Sequence, residues 1–82
     1  RQKSYLTMEI KTFGKITEIV NKEIELAFPM NLAELKTTLE EQFPLLKTLM
    51  YSIAINDELI SDEDYMIIQP QSIALMPPFS GG

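Results

Sequence analysis

The 82-residue chain contains no cysteine. That excludes a disulfide framework, a thiolate metal site and a cysteine nucleophile. Histidine is absent as well, which removes the commonest general base and metal ligand. No P-loop and no glycine-rich turn occurs, so nothing in the sequence is built to cradle a nucleotide phosphate. Apolar runs extend over only a few residues, too short to span a bilayer. No stretch reads as a signal peptide, and cytoplasmic residence is the expectation. Basic residues are few: seven lysines and arginines stand against twelve acids, for a net charge of −5. That balance argues against nucleic acid as a partner. The basic residues also stop early. Lys47 is the last of them, and the remainder of the chain carries Asp57, Glu58, Asp62, Glu63 and Asp64 without a lysine or arginine. A partner that receives this half is expected to present a basic surface.

Glycine is scarce too, and its placement is the most informative feature present. Only three glycines occur, Gly14, Gly81 and Gly82. At a usual frequency of roughly 7%, two in a row at a given place is about a one-in-two-hundred event. They follow Met76-Pro77-Pro78-Phe79-Ser80. The prolines fix φ, remove two backbone donors and stop a sheet ladder, so the chain leaves its last strand extended. The residues from Pro78 to Gly82 reach at most roughly 17 Å when stretched. Glycine leaves no side chain beside the carbonyl, so Gly81-Gly82 can thread a narrow channel and offer an unhindered carboxylate.

The size fits one domain, with an apolar fraction of 45% and a charged fraction of 23% that are ordinary for a globular protein. Residues 5–13 alternate, with Leu6, Met8 and Ile10 on one face, and predict a half-buried strand ended by Gly14. Ile16, Ile19 and Val20 have the spacing of one or two helical turns. A second strand is predicted over 23–28, with Ile24, Leu26 and Phe28 inward, ended by Pro29. Asn31 and Glu34 make a capping-box pair ahead of a helix over about 32–43, whose stripe of Leu32, Leu35, Leu39, Phe43 and Leu46 must be buried against a sheet. Further strands are predicted at 51–55, at Leu59-Ile60 after an Asn56-Asp57-Glu58 turn, and at 72–76. Ser61–Tyr65 reads as a surface loop and Met66–Ile68 as an apolar return.

This order predicts an α+β two-layer sandwich: a mixed sheet with one main helix on one face, the first strand central, hairpinned to the second and parallel to the last. That is the β-grasp, or ubiquitin-like, arrangement. Residues 1–76 form the domain on this reading and 77–82 an extended functional tail. Ile73 and Leu75 face the helix, and Ala74 and Met76 face away, onto a side expected to stay uncovered.

The run Ile53-Ala54-Ile55-Asn56-Asp57-Glu58-Leu59-Ile60 resembles the strand–turn–strand of prokaryotic sulfur-carrier proteins. The ending Ile73-Ala74-Leu75-Met76-Pro77-Pro78-Phe79-Ser80-Gly81-Gly82 is similar to that of the small subunit of molybdopterin synthase, in the MoaD/ThiS family. The likeness runs from about Tyr5 to Gly82 and is most specific in the last ten residues. Where the family often has Asp-Gly-Asp before the last strand, this chain has Gln69-Pro70-Gln71. The resemblance implies chemistry at the terminal carboxylate. An activating enzyme uses ATP to adenylate Gly82, and a sulfur donor converts the adenylate to a thiocarboxylate. Gly81 and Ser80 thread the active site of the large synthase subunit, which carries the catalytic residues and moves the sulfur to a pterin precursor in a heterodimer or heterotetramer. Phe79, Pro78, Pro77, Met76 and Ala74 are expected to dock against these partners. The small subunit itself is expected to hold no catalytic residue, metal or bound cofactor. A sulfur carrier for the thiazole of thiamin, a ubiquitin-like protein modifier and a plain interaction domain remain the other readings.

Overall fold

A computed structural model describes residues 4–77. Two strands open the chain, β1 (Ser4–Met8) and β2 (Lys11–Thr12), where the alternation of residues 5–13 predicts one. β1 pairs antiparallel with β3 (Ile24–Phe28), and β2 pairs parallel with the last strand, β8 (Ile73–Met76). β8 pairs on its other side with β5 (Ser52–Ile55), and β5 with the short β6 (Glu58–Ile60). The opening segment therefore lies between β3 and β8, as the sequence predicts, with its ladder broken at Glu9-Ile10. The β-grasp layering of a mixed sheet and one main helix is present.

The inward face of the opening segment is less buried than its alternation suggests. Ile10 is in the core and Met8 packs at its edge, but Leu6 is 41% exposed. Leu6 stands across from Leu26, which is fully buried. The cover given to Leu26 stops short of Leu6.

The short helix α1 spans Ile16–Ile19 and buries Ile16. The main helix, α2, spans Leu32–Gln42. Its capping box is complete: the Glu34 N–H donates to Asn31 Oδ1 at 2.8 Å, and the Asn31 N–H donates to Glu34 Oε1 at 2.9 Å. Two further amides at that end donate to the loop of residues 61–65, Leu32 N–H to Tyr65 O and Ala33 N–H to Glu63 O, so the orphan donors of the first turn are satisfied by protein. Leu32, Leu35 and Leu39 are buried along one stripe. Phe43 ends the helix, and Pro44–Thr48 forms a 3₁₀ turn. Leu46, predicted as the end of the helical stripe, reaches the core from that turn instead, because Pro44 cannot continue the α-helical ladder.

A pairing absent from the sequence reading joins β4 (Met30–Asn31) to β7 (Met66–Ile67) in antiparallel register. It turns the predicted apolar return into a clasp at the start of α2. Ile67 is buried there, while Met66 and Ile68 are exposed. No polar or charged residue is buried among the described residues, and Leu35, Leu39, Leu46, Ile73 and Leu75 are fully enclosed.

Candidate functional site

β8 is held on both sides, which fixes where the strand ends at Met76. Lys11 and Thr12 stand beside Ala74 and Leu75, and Ser52–Ile55 run antiparallel along the other edge. Ile73 and Leu75 point into the core with no exposed surface. The strand is thus anchored by ladder and packing up to Met76. Pro77 comes next, outside the strand and exposed. Its missing N–H ends the ladder there.

The turn between β2 and α1 flanks this exit. Gly14 has φ +62°, and a Cβ built on it would meet Pro77 Cγ at 3.7 Å. Glycine suits the left-handed conformation, which other residues enter only with strain. The Thr17 N–H donates to Gly14 O at 3.1 Å, and the hydroxyls of Thr12 and Thr17 are bonded at 3.1 Å, so the turn is tied across its base.

On the sheet face opposite α2, the register places Leu59, Ala54, Ala74 and Lys11 in one row. Leu59 is 52% exposed at one end. The uncovered position expected for Ala74 is corrected here: the residue is buried, with only 8% of its surface exposed. An alanine between two paired strands is too short to rise above the side chains around it, so it forms a flat floor without projecting. Met76, in register with Ser52, is half-buried and stands higher. Phe13, just beyond β2, is 51% exposed. Leu59 and Phe13 were not among the predicted docking residues. The signal for Leu59 was available: Asn56 and Asp57 both have positive φ, the two-residue turn that fixes a hairpin register and sets Leu59 opposite Ala54.

Of the predicted site residues, the structure brings Ala74, Met76 and Pro77 together on β8 and its end. Pro78, Phe79, Ser80, Gly81 and Gly82 lie outside the described residues.

The acidic residues of the C-terminal half fall in two places. Asp57 and Glu58 sit in the β5–β6 turn. Asp62, Glu63 and Asp64 lie in the loop that docks on the first turn of α2, where Asp62 Oδ1 accepts from the Asp64 N–H at 2.9 Å. The positive end of the helix dipole favours acids in that place, which gives them a local reason to be there. Lys36 pairs with Glu63 at 3.5 Å, an exposed contact of little energetic weight.

Two residues, Asn56 and Tyr51, brace the frame behind the site. The Asn56 side chain accepts from the N–H groups of Gln71 at 2.7 Å and Ser72 at 3.2 Å, and its own N–H donates to Ser72 O. Gln69-Pro70-Gln71, the departure from the expected family turn, is thereby stitched to the β5–β6 hairpin, with Pro70 buried. The Tyr51 hydroxyl donates to Glu40 Oε2 at 2.7 Å, tying the entry of β5 to α2. Burial pushes the Tyr51 phenol well up from its ordinary value, and the Glu40 carboxylate, by accepting its hydrogen bond and by its charge, adds to the effect.

No helix among the described residues is long and apolar enough to cross a membrane. Compared with known families, residues 10–82 match the model described as the ThiS family. The match begins at the buried Ile10, takes in β8 and its exit, and continues through Gly82.

Proposed function

The chain belongs to the ThiS family of β-grasp sulfur carriers, and we propose that within it this protein is the sulfur-carrying small subunit of a molybdopterin synthase. One observation carries the reading: β8, paired on both sides, is followed directly in sequence by Pro77-Pro78-Phe79-Ser80-Gly81-Gly82. Carriers for thiazole synthesis usually lack the two prolines before the glycines, which is why the pterin branch is preferred.

Members of the family work with an activating enzyme and with a catalytic partner that accepts the sulfur. In the proposed cycle the activating enzyme binds ATP, the Gly82 carboxylate attacks it, and pyrophosphate leaves. The resulting acyl-adenylate is the electrophile that a bare carboxylate is not. A sulfur donor then displaces AMP and leaves a thiocarboxylate. The domain contributes geometry to these steps. β8 is clamped from both sides, so the segment beyond Pro77 starts from a fixed point. Gly81 and Ser80 pass through the partner's channel. Phe79, Pro78, Pro77 and Met76 dock around its mouth, with Ala74 as the flat floor between Leu59 and Lys11.

The experiment is intact-mass spectrometry after co-expression with a sulfur-loading system, then incubation with a large synthase subunit and the pterin precursor. The expected result is a gain equal to one oxygen replaced by one sulfur, then conversion of the pterin. A variant with one residue appended after Gly82 is expected not to load while melting like the parent. An unchanged mass under conditions that load a control carrier overturns the carrier reading. A loaded protein that supports thiazole formation and leaves the pterin unconverted overturns the choice of branch.

A further inference from the structure

β3 has a strand neighbour on one side only. It pairs with β1, and no other strand of the described residues joins that two-stranded ladder beyond it. In a strand paired on one side, every second N–H and C=O points outward as a template for another strand. Proteins usually blunt such an edge with proline, lysine or a bulge. The β3 sequence Ile-Glu-Leu-Ala-Phe has no proline and no lysine, and its register with β1 is regular over all five pairs.

Alongside this edge a groove of about 530 Å³ opens between β3 and α2. Its walls are low: Ala27 on the strand, Ala33 and Thr37 on the helix. Small residues there leave room for the side chains of an incoming strand. Tyr5, in register with Ala27 and 67% exposed, stands at the mouth. The charged residues of the lining are Glu25 and Glu34, both acidic. Glu34 is held in place, because its carboxylate accepts the Asn31 N–H in the capping box.

We propose that the edge of β3 is a docking site for an extended segment of a partner protein, added antiparallel or parallel as a further strand and carrying lysine or arginine alternating with β-branched residues. The backbone template supplies affinity, the low wall of Ala33 and Thr37 on α2 takes the β-branched side chains, and Glu25, on the strand face turned from α2, selects the basic ones. A second copy of this chain is the wrong occupant. Pairing β3 with itself would set the Glu25 and Glu34 rims of two acidic molecules against each other, and like charges facing across strands are destabilising. The site is separate from the sulfur-carrying end: β3 lies on one side of the opening segment and β8 on the other. A partner docked here leaves the exit of β8 at Pro77 uncovered, so the proposal stands whatever the chemistry at Gly82.

The test titrates the full ¹⁵N-labelled chain with a blocked synthetic peptide of alternating lysine and valine, monitored by amide chemical shifts. The expected result is saturable binding with shifts at residues 24–28 and 33–38, weakened by salt. Glu25→Lys, an exposed change that leaves the ladder intact, is expected to weaken binding by about threefold or more. The same peptide N-methylated at alternate positions along one edge keeps its charge and loses its donors, and is expected not to bind. Equal binding of the methylated peptide overturns the proposal, since charge alone would then explain it. So do shifts confined to residues 57–64, the absence of saturation, or dimerisation of the free chain through β3.

Discussion

Gly14 offers the sharpest quantitative test of the turn that stands beside the end of β8. Its φ of +62° lies in the left-handed region. An L-residue held there costs about 1–2 kcal/mol. No clash adds to that figure, because the new Cβ would meet its nearest neighbour, Pro77 Cγ, at 3.7 Å, an ordinary contact. An opposing term comes from the unfolded chain, which loses freedom when glycine is replaced, stabilising the fold by about 0.4–1 kcal/mol. Taking the middle of each range, the net expectation for Gly14→Ala is a loss of about 0.8 kcal/mol. For a domain of this size that lowers the melting temperature by roughly 2–8 °C. Asparagine enters the left-handed region more readily, so Gly14→Asn should fall between Ala and the parent. Urea unfolding monitored by circular dichroism reads all three, with equal dependence on denaturant as the control that the unfolded states are alike. An alanine variant as stable as the parent, or an asparagine variant weaker than the alanine one, refutes the assignment of strain to this turn.

Other consequences are more direct. Leu39 has no exposed surface in the centre of α2, and Leu39→Ala should cost about 2–5 kcal/mol in urea unfolding; a loss below about 1 kcal/mol would contradict its place in the core. Asn31→Ala removes the acceptor half of the capping box and should cost about 1 kcal/mol, with faster amide exchange at Ala33 and Glu34 and little change at Leu39. For Tyr51 the sign comes from its raised folded-state value: the contribution is complete below the unfolded-chain value of about 10 and is lost as pH rises above it. Chemical unfolding at successive alkaline pH values should show the parent losing stability more steeply than Tyr51→Phe, and parallel profiles would refute the bond to Glu40 as its source.

The helix was the most legible element, because every instruction for it is local. Asn31 and Glu34 name the cap, three leucines at helical spacing name the buried face, and Pro44 names the stop. The hairpin of β5 and β6 was legible for the same reason, since Asn56-Asp57-Glu58 reads as a turn, although the turn takes only Asn56 and Asp57, and Glu58, in β6, already pairs with Ile55. The clasp of β4 on β7 was not. Each strand has two residues, too few for a period, and they meet only because the loop of residues 61–65 docks on the first turn of α2. The exposure of Leu6 and the concealment of Ala74 were likewise out of reach. Alternation assigns a side chain to a face, but how much of that face is covered depends on the neighbours in space.

By itself, then, the sequence determined the periods, the cap, the turns and the Pro-Pro-Phe-Ser-Gly-Gly ending, all of which are properties of residues close along the chain. The order of elements also pointed to the parallel pairing of the opening segment with β8; only the tertiary structure decided that β5 closes the other side of β8, that Gly14 stands beside Pro77, and that β3 is left with an unpaired edge. Those depend on which distant segments share a ladder, and the backbone hydrogen bonds that join them are the same for nearly every residue type, so the sequence does not spell them out.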